Sequence, residues 1–96
     1  MFYGFNMATL HTLNKAEYPA AVERDWRCAV KPGDTILLIE EAVLRLLNPE
    51  AINQLSGANL TARQADLQAY GLQPPSVCDD TAWVELCVSH DKLINW

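Results

Sequence analysis

One stretch, Pro32-Gly33-Asp34-Thr35-Ile36-Leu37-Leu38-Ile39, constrains the fold more than any other. A turn tripeptide opens it, and Thr35 to Ile39 then runs on as a continuous apolar segment. A strand covered on both faces looks like this, and such strands are typical of parallel sheets. The flanking segments have a different period. Upstream, Val22, Trp26, Ala29 and Val30 recur at i, i+4, i+7 and i+8, one face of a helix. Pro19 suits the first turn of that helix, and Pro32-Gly33-Asp34 ends it. Downstream, "EEAVLRLLN" reads as a second helix with Val43, Leu46 and Leu47 on one side.

The remaining segments extend the alternation. "ATLHTL" (Ala8 to Leu13) is a short Thr- and Leu-rich run that reads as a first strand. Asn48 caps a fresh helical turn, with Pro49 in its first position and Glu50 behind it, and Ser56-Gly57 ends that piece. "ANLTAR" is a strand with Ala58, Leu60 and Ala62 alternating against polar residues. "QADLQAYG" is a short helix closed by Gly71, "LQPPS" is a loop, and "VC" starts a short fourth strand. In the last block, Trp83, Leu86, Cys87 and His90 form a stripe at i, i+3, i+4 and i+7. That favours a helix with Asp80 as its N-cap, although "WVELCV" also passes as a strand.

Alternation of this kind predicts an α/β fold: a three-layer sandwich with a small, mostly parallel sheet of four to five strands and right-handed crossovers. Ligands in such folds meet the carboxyl ends of the strands, which here would hold Asn14, Glu40, Glu41, Arg63 and Gln64. Ninety-six residues are enough for one domain with its own core. Met7 is an alternative start, so the expected organisation is an N-terminal extension over 1–6 and a single domain over 7–96.

Charge and composition exclude several classes. A net charge of −5 argues against a bare nucleic-acid binder, since phosphate contacts need a basic patch. The longest apolar stretch, Ile36 to Ile39, is far too short to span a membrane. "MFYGFN" lacks the basic residues and apolar region of a signal peptide, which points to the cytoplasm. Cys28, Cys78 and Cys87 are odd in number, widely spaced and form no CxxC, so reduced thiols are expected rather than a disulfide framework.

Few residues carry a chemical signal. There is no GxGxxG and no GxxxxGK, so a glycine loop for phosphate is absent. Cys87 and His90 could share a helix face, but no paired ligand spacing announces a metal, and neither metal nor other cofactor is expected. Glu40 and Glu41 sit where carboxylates favour a helix N-terminus, as do Asp79 and Asp80. His11, inside the first strand, faces either a helix layer or the sheet end, and reads as a hydrogen-bonded core or interface histidine; no nucleophile stands near it in sequence.

Cys28 lies near the end of the first helix beside Arg24, Arg27 and Lys31, cations that favour a thiolate, while the helix C-terminus disfavours one. Cys78 precedes two aspartates that would raise its pKa, and Cys87 lies on the apolar stripe. Trp96 ends the sequence. A tryptophan there must dock into its own core or into a partner, because chain ends are otherwise poorly tied down.

Four stretches, in order, carry a resemblance: "LHTLNK" from Leu10, "PGDTILLIEEAV" from Pro32, "ARQADLQAYGL" from Ala62 and "WVELCVSHDKLINW" at the end. Together they resemble the DsrH/TusB family, the small B-type subunits of sulfur-relay complexes, over Met7 to Trp96. The resemblance implies a DsrEFH-like α/β fold and a hetero-oligomer with homologous C- and D-type subunits. It implies an accessory, non-catalytic part in passing persulfide sulfur toward the 2-thiouridine of tRNA wobble positions; the charge and the short apolar stretches add the expectation of no direct nucleic-acid or membrane contact. The main sulfur-carrying cysteine belongs to another subunit, so no catalytic residue is assigned here, and His11 and Trp96 are interface or structural residues.

Some members of the H branch, which serves dissimilatory sulfur oxidation, carry a cysteine in the first helix. Cys28 is therefore the one persulfide candidate, although counting from Gly33 places the family position nearer Trp26. This chain departs from the family pattern at Glu41-Ala42, where Asp-Gly is usual, and at Tyr70, where Arg is usual. Those departures leave a third alternative, a diverged homo-oligomeric interaction domain without sulfur chemistry.

Overall fold

The computed structural model describes residues 8–47, 57–72, 77–90 and 92–96. The expected extension over 1–6, the turn at Asn48-Pro49-Glu50 and most of the "LQPPS" loop lie outside the described residues. In chain order the elements are β1 (Thr9–Leu13), α1 (Ala20–Ala29), β2 (Thr35–Leu38), a 3-10 helix (Glu40–Leu47), β3 (Asn59–Arg63), α2 (Gln64–Tyr70), β4 (Val77–Cys78), α3 (Asp80–Ser89) and β5 (Lys92–Asn95).

Every strand pairing is parallel, and the sheet order is β4-β3-β2-β1-β5. Four strands have four or five residues, and β4 is a two-residue edge. The chain steps outward from β1 to β4, then returns across the sheet to lay β5 on the free edge of β1. The unbroken apolar run thus occupies the centre: all four residues of β2 are buried.

Alternation along the strands divides the core between two faces. Leu13, Ile36, Leu38 and Ala62 point to one face and pack with Trp26 of α1, Ala42 and Val43 of the 3-10 helix and Leu67 of α2. Leu10, Leu37 and Cys78 belong to the other, where Ala82, Trp83, Leu86 and Cys87 of α3 pack against them. Helix layers on both faces make the expected three-layer α/β sandwich. Each fully buried Leu, Ile or Val in these clusters contributes about 1.5–3 kcal/mol relative to exposure.

Several local expectations need correction. The second helical segment is a 3-10 helix, and it buries Arg45 while leaving Leu47 exposed. An ion pair described below draws Arg45 inward. Pro19 is the N-cap of α1 rather than a first-turn residue; with no side-chain cap available, Glu23 Oε2 reaches back to accept the Tyr18 N–H at 2.8 Å. Asp79, not Asp80, caps α3, its Oδ1 accepting the Ala82 N–H at 2.8 Å. The segment after α3 is strand β5, absent from the periodicity reading; its signal is the ladder to β1, with Leu10 opposite Leu93 and His11 opposite Ile94. Gly33 (φ +91) and Gly71 (φ +68) adopt the left-handed backbone that the turn before β2 and the end of α2 require.

Candidate functional site

β1 carries His11 in mid-strand, on the face that also presents Ile36. Its imidazole is fully buried. Nε2 lies 2.9 Å from Asp34 Oδ2, and Nδ1 lies 3.1 Å from Trp96 Nε1. An indole can only donate, so Nδ1 is the acceptor and the imidazole proton sits on Nε2, donated to Asp34. Asp34 is saturated in turn. Oδ1 accepts the Thr9 N–H and Oδ2 also accepts the Lys31 N–H, each at 3.0 Å. Burial pushes the Asp34 carboxyl up, but the Thr9 N–H, His11 and the Lys31 N–H outweigh it and hold the pKa below the usual carboxylate value. The Trp96 backbone N–H donates to Thr12 O at 2.9 Å, prolonging the β5–β1 ladder, and its ring packs against the larger core cluster.

A second buried polar assembly ties α1 to the 3-10 helix. Arg45 donates through both terminal nitrogens to Glu23, at 3.1 and 2.7 Å, and through Nε to Lys15 O at 2.9 Å. Its guanidinium lies over the rings of Tyr18 and Trp26. The Arg45 guanidinium drops the Glu23 pKa from 4.5 to about 2, against the opposing effect of burial.

At the carboxyl edge of the sheet three of the expected residues, Asn14, Glu41 and Arg63, are engaged with neighbouring residues. Asn14 and Tyr18 exchange two hydrogen bonds, the Tyr18 hydroxyl donating to Asn14 Oδ1 and accepting the Asn14 N–H. Glu41 accepts the Ala16 N–H at 3.4 Å. Arg63 lies between Asp66 and Asp80, at 3.7 and 3.6 Å, over the ring of Trp83. Glu40 is exposed and has a positive φ of 51. Gln64 lines a shallow cavity of about 420 Å³ with Asp79, Asp80 and Thr81.

The three thiols are not brought together as a reactive set. Cys28 is exposed near the end of α1. Of its three cationic neighbours in sequence, Arg24 lies 3.7 Å from Asp25, and Arg27 lies 3.6 Å from Glu23 and stacks on Trp26. Cys78 is buried, and burial, reinforced by Asp79, pushes its thiol up. Cys87 packs in the same small cluster beneath α3. Among the described residues no group of three or more His, Cys, Asp or Glu side chains could hold a metal ion. Both ring nitrogens of His90 are engaged: Nδ1–H donates to Leu86 O at 2.8 Å, and Nε2 accepts the Thr35 hydroxyl at 2.9 Å. Asp34, Glu23 and Arg45 are the residues the sequence reading passed over. A lone Arg inside the apolar "AVLRLL" run was the available signal for one of them.

Fold and polar network define a small parallel α/β domain whose buried charges tie its own elements to one another. The chain belongs to the DsrH-like protein family: the family model matches residues 24–93, well over half of the sequence. That membership fits a sulfur-relay subunit, and members are usually part of sulfur-relay complexes with other subunits. The matched span begins inside α1 and ends within β5, so His11 and Trp96 lie outside it. No curated protein matches the chain. Among the described residues, no helix is long and apolar enough to cross a membrane.

Proposed function

We propose that this chain is an accessory, non-catalytic subunit of a cytoplasmic sulfur relay serving 2-thiolation of tRNA wobble uridines, assembled with homologous C- and D-type subunits. The observation that carries this reading is the DsrH-like match over a fold that packs two of its three thiols beneath α3. Cys78 and Cys87 pack between α3 and the sheet, and the thiol of Cys78 is held protonated by burial and by Asp79. In this role His11 and Trp96 serve structurally, fastening β5 to β1.

The test is genetic replacement with a chemical readout. Cells lacking the chain lose 2-thiouridine from the affected tRNAs, measured by mass spectrometry of tRNA hydrolysates. Both the wild-type chain and Cys28→Ser restore it. Unchanged 2-thiouridine in the deletion strain rejects the reading.

Exposure of Cys28 on α1 supports a second reading, a DsrH-type thiol carrier in dissimilatory sulfur oxidation. Restoration by wild type but not by Cys28→Ser would favour a carrier role.

A further inference from the structure

α3 carries apolar residues on the side facing the sheet and again on its outer side. Ala82, Trp83, Leu86 and Cys87 turn toward the sheet, while Val84 and Val88, one turn apart, are 64% and 81% exposed. An ordinary surface helix keeps the side away from its core polar, and Val84 and Val88 interrupt that side. Yet none of its residues is fully buried, and it is the one helix packed on its face of the sheet among the described elements. Beside it runs an open groove of about 630 Å³. Thr35 and Thr61 of the sheet line it, with Glu85, Leu86 and Ser89 of α3 and His90 at the helix C-cap.

The net charge around this patch is negative. Asp79, Asp80 and Glu85 are exposed along α3, and the helix contains no Lys or Arg. Arg63, the nearby cation, is taken up by Asp66, Asp80 and the Trp83 ring. Glu85 has no ion-pair partner among the described residues. A second copy related by a two-fold axis would bring the same acidic rim against itself, on a chain that already carries −5. The complementary surface is apolar with a basic rim.

We propose that the outer face of α3, centred on Val84 and Val88 and continued by the groove at Glu85, docks a different subunit of the relay complex that presents an apolar ridge rimmed by Lys or Arg. This inference rests on the relay-subunit reading above and adds where the contact is made. Apolar anchors inside a charged rim divide the work of an interface: the anchors hold the complex, and the rim steers the encounter.

The test co-expresses the full-length chain with the C- and D-type subunits of its own organism and measures assembly by size-exclusion chromatography with light scattering. The V84K/V88K variant places two cations in the patch at exposed positions, where Lys is a better helix former than Val. Its thermal midpoint should match wild type, while its affinity for the partner subunits should fall about tenfold or more. Glu85→Gln should slow association at low salt and leave the high-salt rate unchanged. Wild-type assembly retained in full by V84K/V88K overturns the inference and leaves the relay-subunit reading intact. A homodimer of the isolated chain that V84K/V88K abolishes also overturns it, by putting a second copy on the face. Failure of the wild-type chain to assemble overturns both.

Discussion

The indole N–H of Trp96 donates to Nδ1 of His11 across 85 positions of sequence, at 3.1 Å. The bond fixes the imidazole as its Nε2–H tautomer and aims that proton at Asp34, 2.9 Å away. The end of the chain is thereby fastened to the middle of β1. The two rings lie edge to edge in near-parallel planes, with centroids 6.2 Å apart and 16° between planes. Trp96→Phe keeps an aromatic ring but removes the donor, leaving a buried acceptor unpaired. It should cost about 1–3 kcal/mol in urea-unfolding free energy. A value within error of zero would mean that the bond does not contribute.

Arg45 shows how a buried cation is tolerated. Its two-pronged contact with Glu23, its bond to Lys15 O and its place over two aromatic rings replace the water it lost. Arg45→Ala strands Glu23 and should destabilise by about 3–5 kcal/mol. Arg45→Lys cannot reproduce the planar fork and should also lose stability, though less. Chemical denaturation of the three proteins at neutral pH gives the order wild type, Lys, Ala; an Arg45→Lys variant equal to wild type contradicts it.

Acid sensitivity follows from the same groups. The folded-state pKa values of Glu23 and Asp34 both lie below their unfolded values. Each carboxylate therefore contributes stability that is fully present above the unfolded pKa and is lost as pH falls through the folded one. For Glu23 the window runs from 4.5 down to about 2. With some discount for its partial exposure, the loss is roughly 2 kcal/mol. Unfolding free energies measured across that window should fall steeply for wild type and less steeply for Glu23→Gln. Identical slopes would remove Glu23 from the account.

Glu40 is the one non-glycine residue with positive φ among the described residues, at +51. L-residues with a Cβ are strained there, and glycine is not. Glu40 is exposed, so its side chain is not needed for the core. Glu40→Gly should stabilise by about 0.5–1 kcal/mol, the relief of strain less the added freedom of the unfolded chain. Differential scanning calorimetry reads this as a raised melting temperature; a lowered one would show that the Glu side chain contributes more than the strain costs.

The match between sequence and structure differs from element to element. β1, α1, β2, β3 and α2 were legible because each carries a local period of burial, and their terminators, Gly33 and Gly71, carry a local backbone requirement. The unbroken apolar run of β2 was enough to predict a parallel sheet, since a strand buried on both faces has few other homes. β5 was not legible. Lys92–Asn95 is mostly exposed and short, and it is a strand because β1 offers it an unpaired edge.

The polar site divides in the same way. His11 and Trp96 were visible as residues that needed partners, but Asp34 read only as a turn residue and Arg45 drew no reading of its own. Local sequence sets the period with which side chains meet a surface, and so it determined the strands, most helices and the α/β class. Which buried polar groups meet, across 23 positions for His11 and Asp34 and 22 for Arg45 and Glu23, is set by how the elements pack side by side. No local period encodes that distance, so only the tertiary structure decided it.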